Sequence, residues 1–216
     1  MDCWDGEDGE PIIYHGFTLT SKILFKDVVM ACKKYAFERS EYPLIFSIEN
    51  HCGVEQQVGV CLIHAVSPIL TLVAGQDVMA DHLRNILGDM LYVHTIDSAE
   101  QQLPAPAQLR NKVLIKAKRL PPDASSNEGE DDEDDDENEE ASVNAVEKKK
   151  NKKKKLSKKL SDLVNYIHAV HFPGFDNAEA KFYHMSSFGE DKTGGILKNT
   201  EQCEQFVKYN TRQISR

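Results

Sequence analysis

The sequence predicts an α/β fold built on a parallel sheet or barrel. Amphipathic helical stretches alternate with short apolar runs, the spacing expected of βα units. The runs follow breaks such as Tyr42-Pro43 and the proline loop Leu103-Pro104-Ala105-Pro106. Charged residues come directly after the runs, at the strand ends where parallel folds bind ligands.

Phe25, Val28, Val29, Cys32 and Ala36 share one face of a helix predicted over 25–39. The run 44–48, Leu-Ile-Phe-Ser-Ile, then reads as a buried parallel strand. Asp77 is placed to cap a second helix, 77–91, with Met79, Leu83, Ile86, Leu87 and Met90 on one face. Residues 113–116 form the next strand. Residues 160–172, β-branched and aromatic, favour a strand that Pro173-Gly174 ends. A short strand is expected within 182–188 and a polar helix over 201–213.

The chain has 216 residues, 40% of them apolar, enough to bury a core. Charge is uneven. Residues 128–140 carry eleven acidic groups in thirteen positions, and 148–159 carry nine lysines in twelve. That stretch predicts disorder, because it cannot bury a core. Its default role is a solvated linker. Five widely spaced cysteines without a CxxC pair argue for reduced thiols in the cytosol. The net charge of −9 excludes a general nucleic-acid binder. Residues 58–76 hold no Asp, Glu, Lys or Arg. Interior His64, Ser67 and Pro68, with no orienting charge bias, argue against a transmembrane span and for a buried element.

Three groups could carry chemistry. Asp2 and Asp5 flank Trp4, with His15 further on; carboxylates suit a hard cation and imidazole moves protons near neutrality. A solvated loop fits these residues equally. Glu49, Asn50 and His51 follow the 44–48 strand, where the glutamate could be a ligand or base, or a strand-end cap contacting a loop amide. Lys116, Lys118 and Arg119 follow the 113–116 strand and could grip phosphate or simply face solvent. Together they suggest metal-assisted chemistry on a phosphate.

Longer strings then become informative. DCWDGEDGEPIIYHGFTLTSKILFKDV (2–28), YPLIFSIENHCGVEQQ (42–57) and MADHLRNILGDML (79–91) resemble the X half of eukaryotic phosphoinositide-specific phospholipase C. LSDLVNYIHAVHFPGF (160–175), FYHMSSFGE (182–190) and FVKYNTRQISR (206–216) resemble the start of its Y half. The resemblance implies a partial TIM-barrel-like (β/α)8 phosphodiesterase barrel, strands three to five with the edges of two and six. Residues 1–120 would be a partial X domain, 121–159 a disordered acidic and lysine-rich X/Y linker, and 160–216 the start of the Y domain. The linker composition looks delta-like.

The resemblance further implies a Ca²⁺-dependent hydrolysis of phosphatidylinositol 4,5-bisphosphate to diacylglycerol and inositol trisphosphate. The enzyme would be cytoplasmic and peripheral at the plasma membrane, with no nucleic-acid partner. By matching positions, Asp2 and Glu49 would ligate Ca²⁺. His15 would protonate the leaving diacylglycerol oxygen. Lys116 and Lys118 would hold the ring phosphates, and Ser187 and Arg216 would contact phosphate. The family pattern places a further Glu ligand two residues before Asp2, and a strand with a first catalytic His and an Asn ligand earlier still. The isolated chain is therefore expected to be inactive, and the linker of the whole enzyme to be inhibitory. The alternative is a non-catalytic, truncated lipid-binding or scaffold relative using the lysine run.

The family pattern also runs from Glu55-Gln56-Gln57 straight into the Val78-Met79-Ala80 helix. Residues 58–76 are an insertion there, a lineage-specific loop or a retained intron. Valine codons begin GT and Gln76 can be encoded CAG, the usual splice-site ends, and nineteen codons (57 nucleotides) keep the frame. On the intron reading, transcripts sequenced across Gln57–Asp77 include some that lack these nucleotides. An in-frame copy in every transcript would refute it.

Overall fold

The computed structural model describes residues 1–16, 18–53, 75–121, 156–172, 174–175 and 181–214. Most of the 58–76 insertion, nearly all of the charged linker, and Arg216 lie outside the described residues. Described are strands β1 (Asp2–Asp5), β2 (Pro11–Ile13), β3 (Ile23–Leu24), β4 (Leu44–Ser47), β5 (Glu49–Asn50), β6 (Val113–Ala117), β7 (Val164–Ala169) and β8 (His184–Met185). The helices are α1 (Phe25–Tyr35), α2 (Gly75–His82), α3 (Lys158–Ser161), α4 (Glu190–Lys198) and α5 (Thr200–Ile214).

Two sheets form, ordered β3-β2-β1-β5 and β4-β6-β7-β8. The second is parallel throughout. In the first, β1 pairs with β5 in parallel, while β2 and β3 add an antiparallel edge. One stretch of chain joins the two sheets. At its start Leu44 pairs with Val113; at its end Glu49 pairs with Asp2. Ile48 donates its N–H to the Lys116 carbonyl at 2.9 Å, and Glu49 donates to the Met1 carbonyl at 2.9 Å. The parallel neighbours therefore run β1, β4/β5, β6, β7, β8, an arc of barrel.

The core lies between this arc and the helices. Phe46 and Ile48 from the shared strand meet Val113, Ile115 and Ala117 of β6, Phe25 and Val29 of α1, and Met79 and Leu83. The same strand turns Ile45, Ser47 and Glu49 outward to exposed positions. The expectation of a wholly buried strand is corrected: period-two alternation holds, with one face open. A smaller cluster, Leu109, Leu114, Tyr166 and Ile167, packs beside it with Tyr92, Ile96 and Phe182.

Further departures have local causes. The first helix ends at Tyr35. The second begins at Gly75, so Asp77 sits inside its first turn and its carboxylate accepts from the Ser157 hydroxyl instead of capping the helix. Past His82 it becomes a π-helix, Leu83–Leu87, and then a 3₁₀ turn. The expected strand over 160–172 opens with α3 and pairs only from Val164, because the Ser157 hydroxyl accepts the Leu160 N–H as an N-cap. Leu156 and Ser157 are buried, although the sequence assigns them to the linker. The strand expected within 182–188 shrinks to His184–Met185. The last helix runs Thr200–Ile214, and α4 was not anticipated. No described helix is long and apolar enough to cross a membrane.

The two halves are tied by buried polar groups. Asn165, 3% exposed, donates to the Tyr92 carbonyl at 2.8 Å and accepts the His94 N–H at 3.1 Å. Glu100 accepts from His94 Nε2 at 2.7 Å, Tyr166 Oη at 2.7 Å and the Asp97 N–H at 2.8 Å. These bonds, the Asp97 one foremost, hold its carboxyl down at about 2. Burial, then the Arg119 guanidinium, lowers His168 from 6.5 to about 4. Arg119 Nη1 lies 3.4 Å from His168 Nε2 and donates to the Val164 carbonyl at 2.6 Å.

Both depressed values make acid destabilising, since the unfolded chain takes up these protons first. For His168 stability falls as pH drops from 6.5 towards about 4, and for Glu100 as it drops from 4.5 towards about 2. In thermal melts against pH, His168→Gln is expected to flatten the upper window and Glu100→Gln the lower one. Unchanged pH profiles in both variants would contradict these assignments.

Candidate functional site

The shared strand places the candidate residues. Parallel pairing of β1 with β5 makes Asp2 and Glu49 Cα partners. Paired residues project to the same side of a sheet, so two carboxylates stand together on the open face. Asp2 is partly buried and Glu49 exposed. On the other side of the strand, Ser47 is the Cα partner of Lys116. The Lys116 ammonium donates to Ser47 Oγ at 3.3 Å and to Ser187 Oγ at 3.0 Å. Ser187 follows β8, so Lys116 bridges the first and second halves of the chain. Lys118 follows β6 by one residue and is partly buried. Arg216 lies outside the described residues.

His15 comes one residue after Tyr14, whose N–H donates to the Asp2 carbonyl at 3.3 Å. Its side chain is exposed, and its carbonyl accepts from Thr18 Oγ1 at 2.6 Å. The ring of Trp4 is the structural neighbour of this segment. It tilts against Tyr14 with centroids 5.3 Å apart, and a Cβ on Gly16 would lie 3.2 Å from its Cζ2. Trp4 also stacks on His51, with centroids 4.1 Å apart and planes 13° off parallel. The Trp4 Nε1 is buried and has no hydrogen-bond partner among the described residues.

The structure thus brings Asp2 to Glu49 and Lys116 to Ser187. His15 is joined to the first pair through β1. Asp5 turns away from this role: its carboxylate accepts the Gly53 N–H at 2.8 Å. Arg119 likewise serves the back of the sheet, on the Val164 carbonyl. Sequence reasoning missed Ser47, although its place two residues before Glu49 puts it on the same strand face. It also left Trp4 without a role. No local signal announces a ring stack between two residues that are 47 positions apart.

Two adjacent carboxylates are hard oxygen donors that fit a hard divalent cation. Among the described residues no group of three His, Cys, Asp or Glu side chains is placed to hold a metal. The pair could therefore supply only part of a coordination sphere. The lysine and serine nearby are groups suited to an anionic oxygen. Groups suited to a hard cation and groups suited to an anion are thus positioned by one strand.

Known proteins match this arrangement along the chain. The family profile described as phosphatidylinositol-specific phospholipase C, X domain, matches residues 1–65 and 71–119. The Y-domain profile of the same family matches 160–216. The human 1-phosphatidylinositol 4,5-bisphosphate phosphodiesterase delta-1 is 40% identical, the match covering 100% of this chain and 28% of that protein. The Xenopus laevis delta-4 protein is 41% identical, covering 100% and 27%. The crystal structure of S. officinalis PLC21 superposes with a TM-score of 0.67 at 34% identity, covering 97% of this chain and 24% of that one. That of L. pealei PLC21 gives 0.65 at 35%, with the same coverages. The chain spans little more than a quarter of the length of these curated relatives. With both halves matched in order and the strand arc of a barrel between them, the chain belongs to the phosphatidylinositol-specific phospholipase C family.

Proposed function

We propose that the protein containing this chain is a delta-type, Ca²⁺-dependent phosphoinositide phospholipase C. It cleaves phosphatidylinositol 4,5-bisphosphate to diacylglycerol and inositol 1,4,5-trisphosphate in intracellular signalling. The observation that carries this reading is the single strand Leu44–Asn50, which puts Glu49 beside Asp2 and Ser47 beside Lys116. The curated relatives that match are named for this substrate.

Asp2 and Glu49 hold the cation, which when bound stabilises negative charge on the reacting phosphodiester. The substrate's own 2-hydroxyl attacks phosphorus and releases its proton to solvent, forming the cyclic phosphate as the bond from phosphorus to the diacylglycerol oxygen breaks. His15 Nε2 or Nδ1 gives its proton to that leaving oxygen, and water then opens the cyclic phosphate. Exposure of His15 suits a group that must meet a substrate arriving from a bilayer. Lys116 and Lys118 grip the ring phosphates, with Ser187 donating beside Lys116 and Arg216 adding a third cationic side chain. Holding phosphates that do not react supplies binding and orientation rather than bond cleavage. The protein works from the cytoplasm, peripherally at the plasma membrane.

In the intact enzyme, Lys116→Met is expected to raise KM for phosphatidylinositol 4,5-bisphosphate on the order of tenfold or more, with a smaller change in kcat. Glu49→Gln is expected to shift the Ca²⁺ concentration for half-maximal activity upward, leaving KM at saturating Ca²⁺ nearly unchanged. A Lys116 variant with unchanged kinetics, or a Glu49 variant with unchanged Ca²⁺ dependence, would overturn the assignments.

The isolated 216-residue chain brings two carboxylates together rather than a full ligand set. It is expected to release no measurable inositol trisphosphate from mixed vesicles at saturating Ca²⁺. Turnover by the purified chain would refute this.

A further inference from the structure

Two glutamines flank the uncharged insertion in a way that makes its boundaries interchangeable. Removing 57–75 or removing 58–76 leaves the same protein sequence, Glu55-Gln56-Gln-Asp77. The structure gives that coincidence a physical meaning. Gln76 is 1% exposed. Its Nε2 donates to the Cys52 carbonyl at 2.9 Å, and its Oε1 accepts the Ser157 N–H at 2.7 Å. Both peptide groups are buried beside it, so an apolar side chain here would remove a hydrogen bond from each. A side chain carrying one donor and one acceptor at that reach is required directly before Asp77.

The two stems of the insertion also meet. Gly53 donates its N–H to Asp5 Oδ2 at 2.8 Å. A Cβ on Gly75 would lie 3.3 Å from Cys52 Cβ and would overlap Asp5 Oδ1. The chain therefore leaves and returns against the same two residues, Asp5 and Cys52. Without 57–75, three residues (Val54, Glu55, Gln56) would bridge Gly53 to the glutamine. At about 3.3–3.6 Å of reach per residue, that bridge is long enough for stems already in contact.

We propose that residues 57–75 are an excisable cassette, and that Gln57 and Gln76 are alternative occupants of one buried position. In the shortened chain Gln57 makes the two hydrogen bonds that Gln76 makes in the long one. One adjustment is needed: Gln56 takes the place of Gly75, and its Cβ displaces the Asp5 carboxylate from the Gly53 N–H. Gln76 is thereby a positioning residue. It fixes the turn after Glu49 to Ser157, the start of the second half. This inference does not depend on the proposed activity and is tested without it.

The test compares thermal melts and amide exchange in the 216-residue chain and its Δ57–75 form. Gln76→Ala is expected to lower the melting temperature of the long chain by several degrees and to expose the Ser157 amide to exchange. Gln57→Ala is expected to do neither. The Δ57–75 chain is expected to unfold cooperatively within about 5 °C of the parent or above it, since a shorter loop closes at less entropic cost. There, replacing the remaining glutamine before Asp77 by Ala reproduces the Gln76→Ala loss. The proposal is overturned if Gln57→Ala costs the long chain as much as Gln76→Ala. It is equally overturned if the Δ57–75 chain does not fold or leaves the Ser157 amide unprotected.

Discussion

The strand from Leu44 to Asn50 hydrogen-bonds to two different parallel partners, and the candidate site takes its shape from that change. Up to Ile48 it pairs with β6; from Glu49 it pairs with β1. A one-residue slip against either partner would send the aligned side chains to the opposite face. The register is held from behind by Phe46 and Ile48, which are 4% and 6% exposed in the core. Burial of these two residues is thus what fixes Ser47 and Glu49 on the open face. Packing on one side of the sheet determines chemistry on the other.

The second constraint is the joining of halves that a long charged segment separates in sequence. Strand β7 pairs with β6 directly and buries Val164, Tyr166 and Ile167 against it, and buried polar contacts add to that apolar packing. Asn165 reaches back to the Tyr92–His94 backbone, and Ser157 engages Gln76 and Asp77. Each of these bonds is worth about 1 kcal/mol net, but leaving one partner unsatisfied costs more. Such contacts select one way of docking the halves. Lys116 reaches Ser187 across that docking, so the pairing of these two side chains depends on both halves.

Much of this was legible in the sequence where periodicity and flanking chemistry agree. Glu49 and Lys116 stand directly after or within apolar runs, and the structure places both on the sheet beside their expected companions. Legibility failed in three places for physical reasons. The first 24 residues carry short strands with little alternation, and their pairing is set by partners remote in sequence. The run 160–172 has strand composition throughout, but the N-cap serine and buried Leu160 start it as a helical turn. Residues 77–91 have one apolar stripe, yet the helix widens to a π-turn at Leu83–Leu87, which the same stripe cannot distinguish from a regular helix. The Glu100–His94–Tyr166 network, a tertiary assembly of ordinary polar residues, left no sequence signal.

The remaining question is how a residue on an exposed segment keeps a fixed relation to the carboxylate pair. Among the described residues His15 is held through backbone bonds: its own carbonyl accepts from Thr18, and its neighbour Tyr14 donates to the Asp2 carbonyl. Trp4 supplies the missing rigidity. It is two residues from Asp2 on β1, and its ring touches the residues on both sides of His15, Tyr14 and Gly16. The same ring stacks on His51, two residues beyond Glu49. One indole therefore spans from the strand of Glu49 to the segment of His15. Its glycine neighbour matters because a Cβ at Gly16 would sit at 3.2 Å, tight against the ring. Aromatic contacts of this kind contribute roughly 0.5–1.5 kcal/mol beyond burial, modest in stability but directional. Directionality is what a proton donor needs: a misplacement of about 1 Å can cost about 10²-fold in rate. For the proton-donor role proposed for His15, the ring stack is the element that would hold its segment at a defined place.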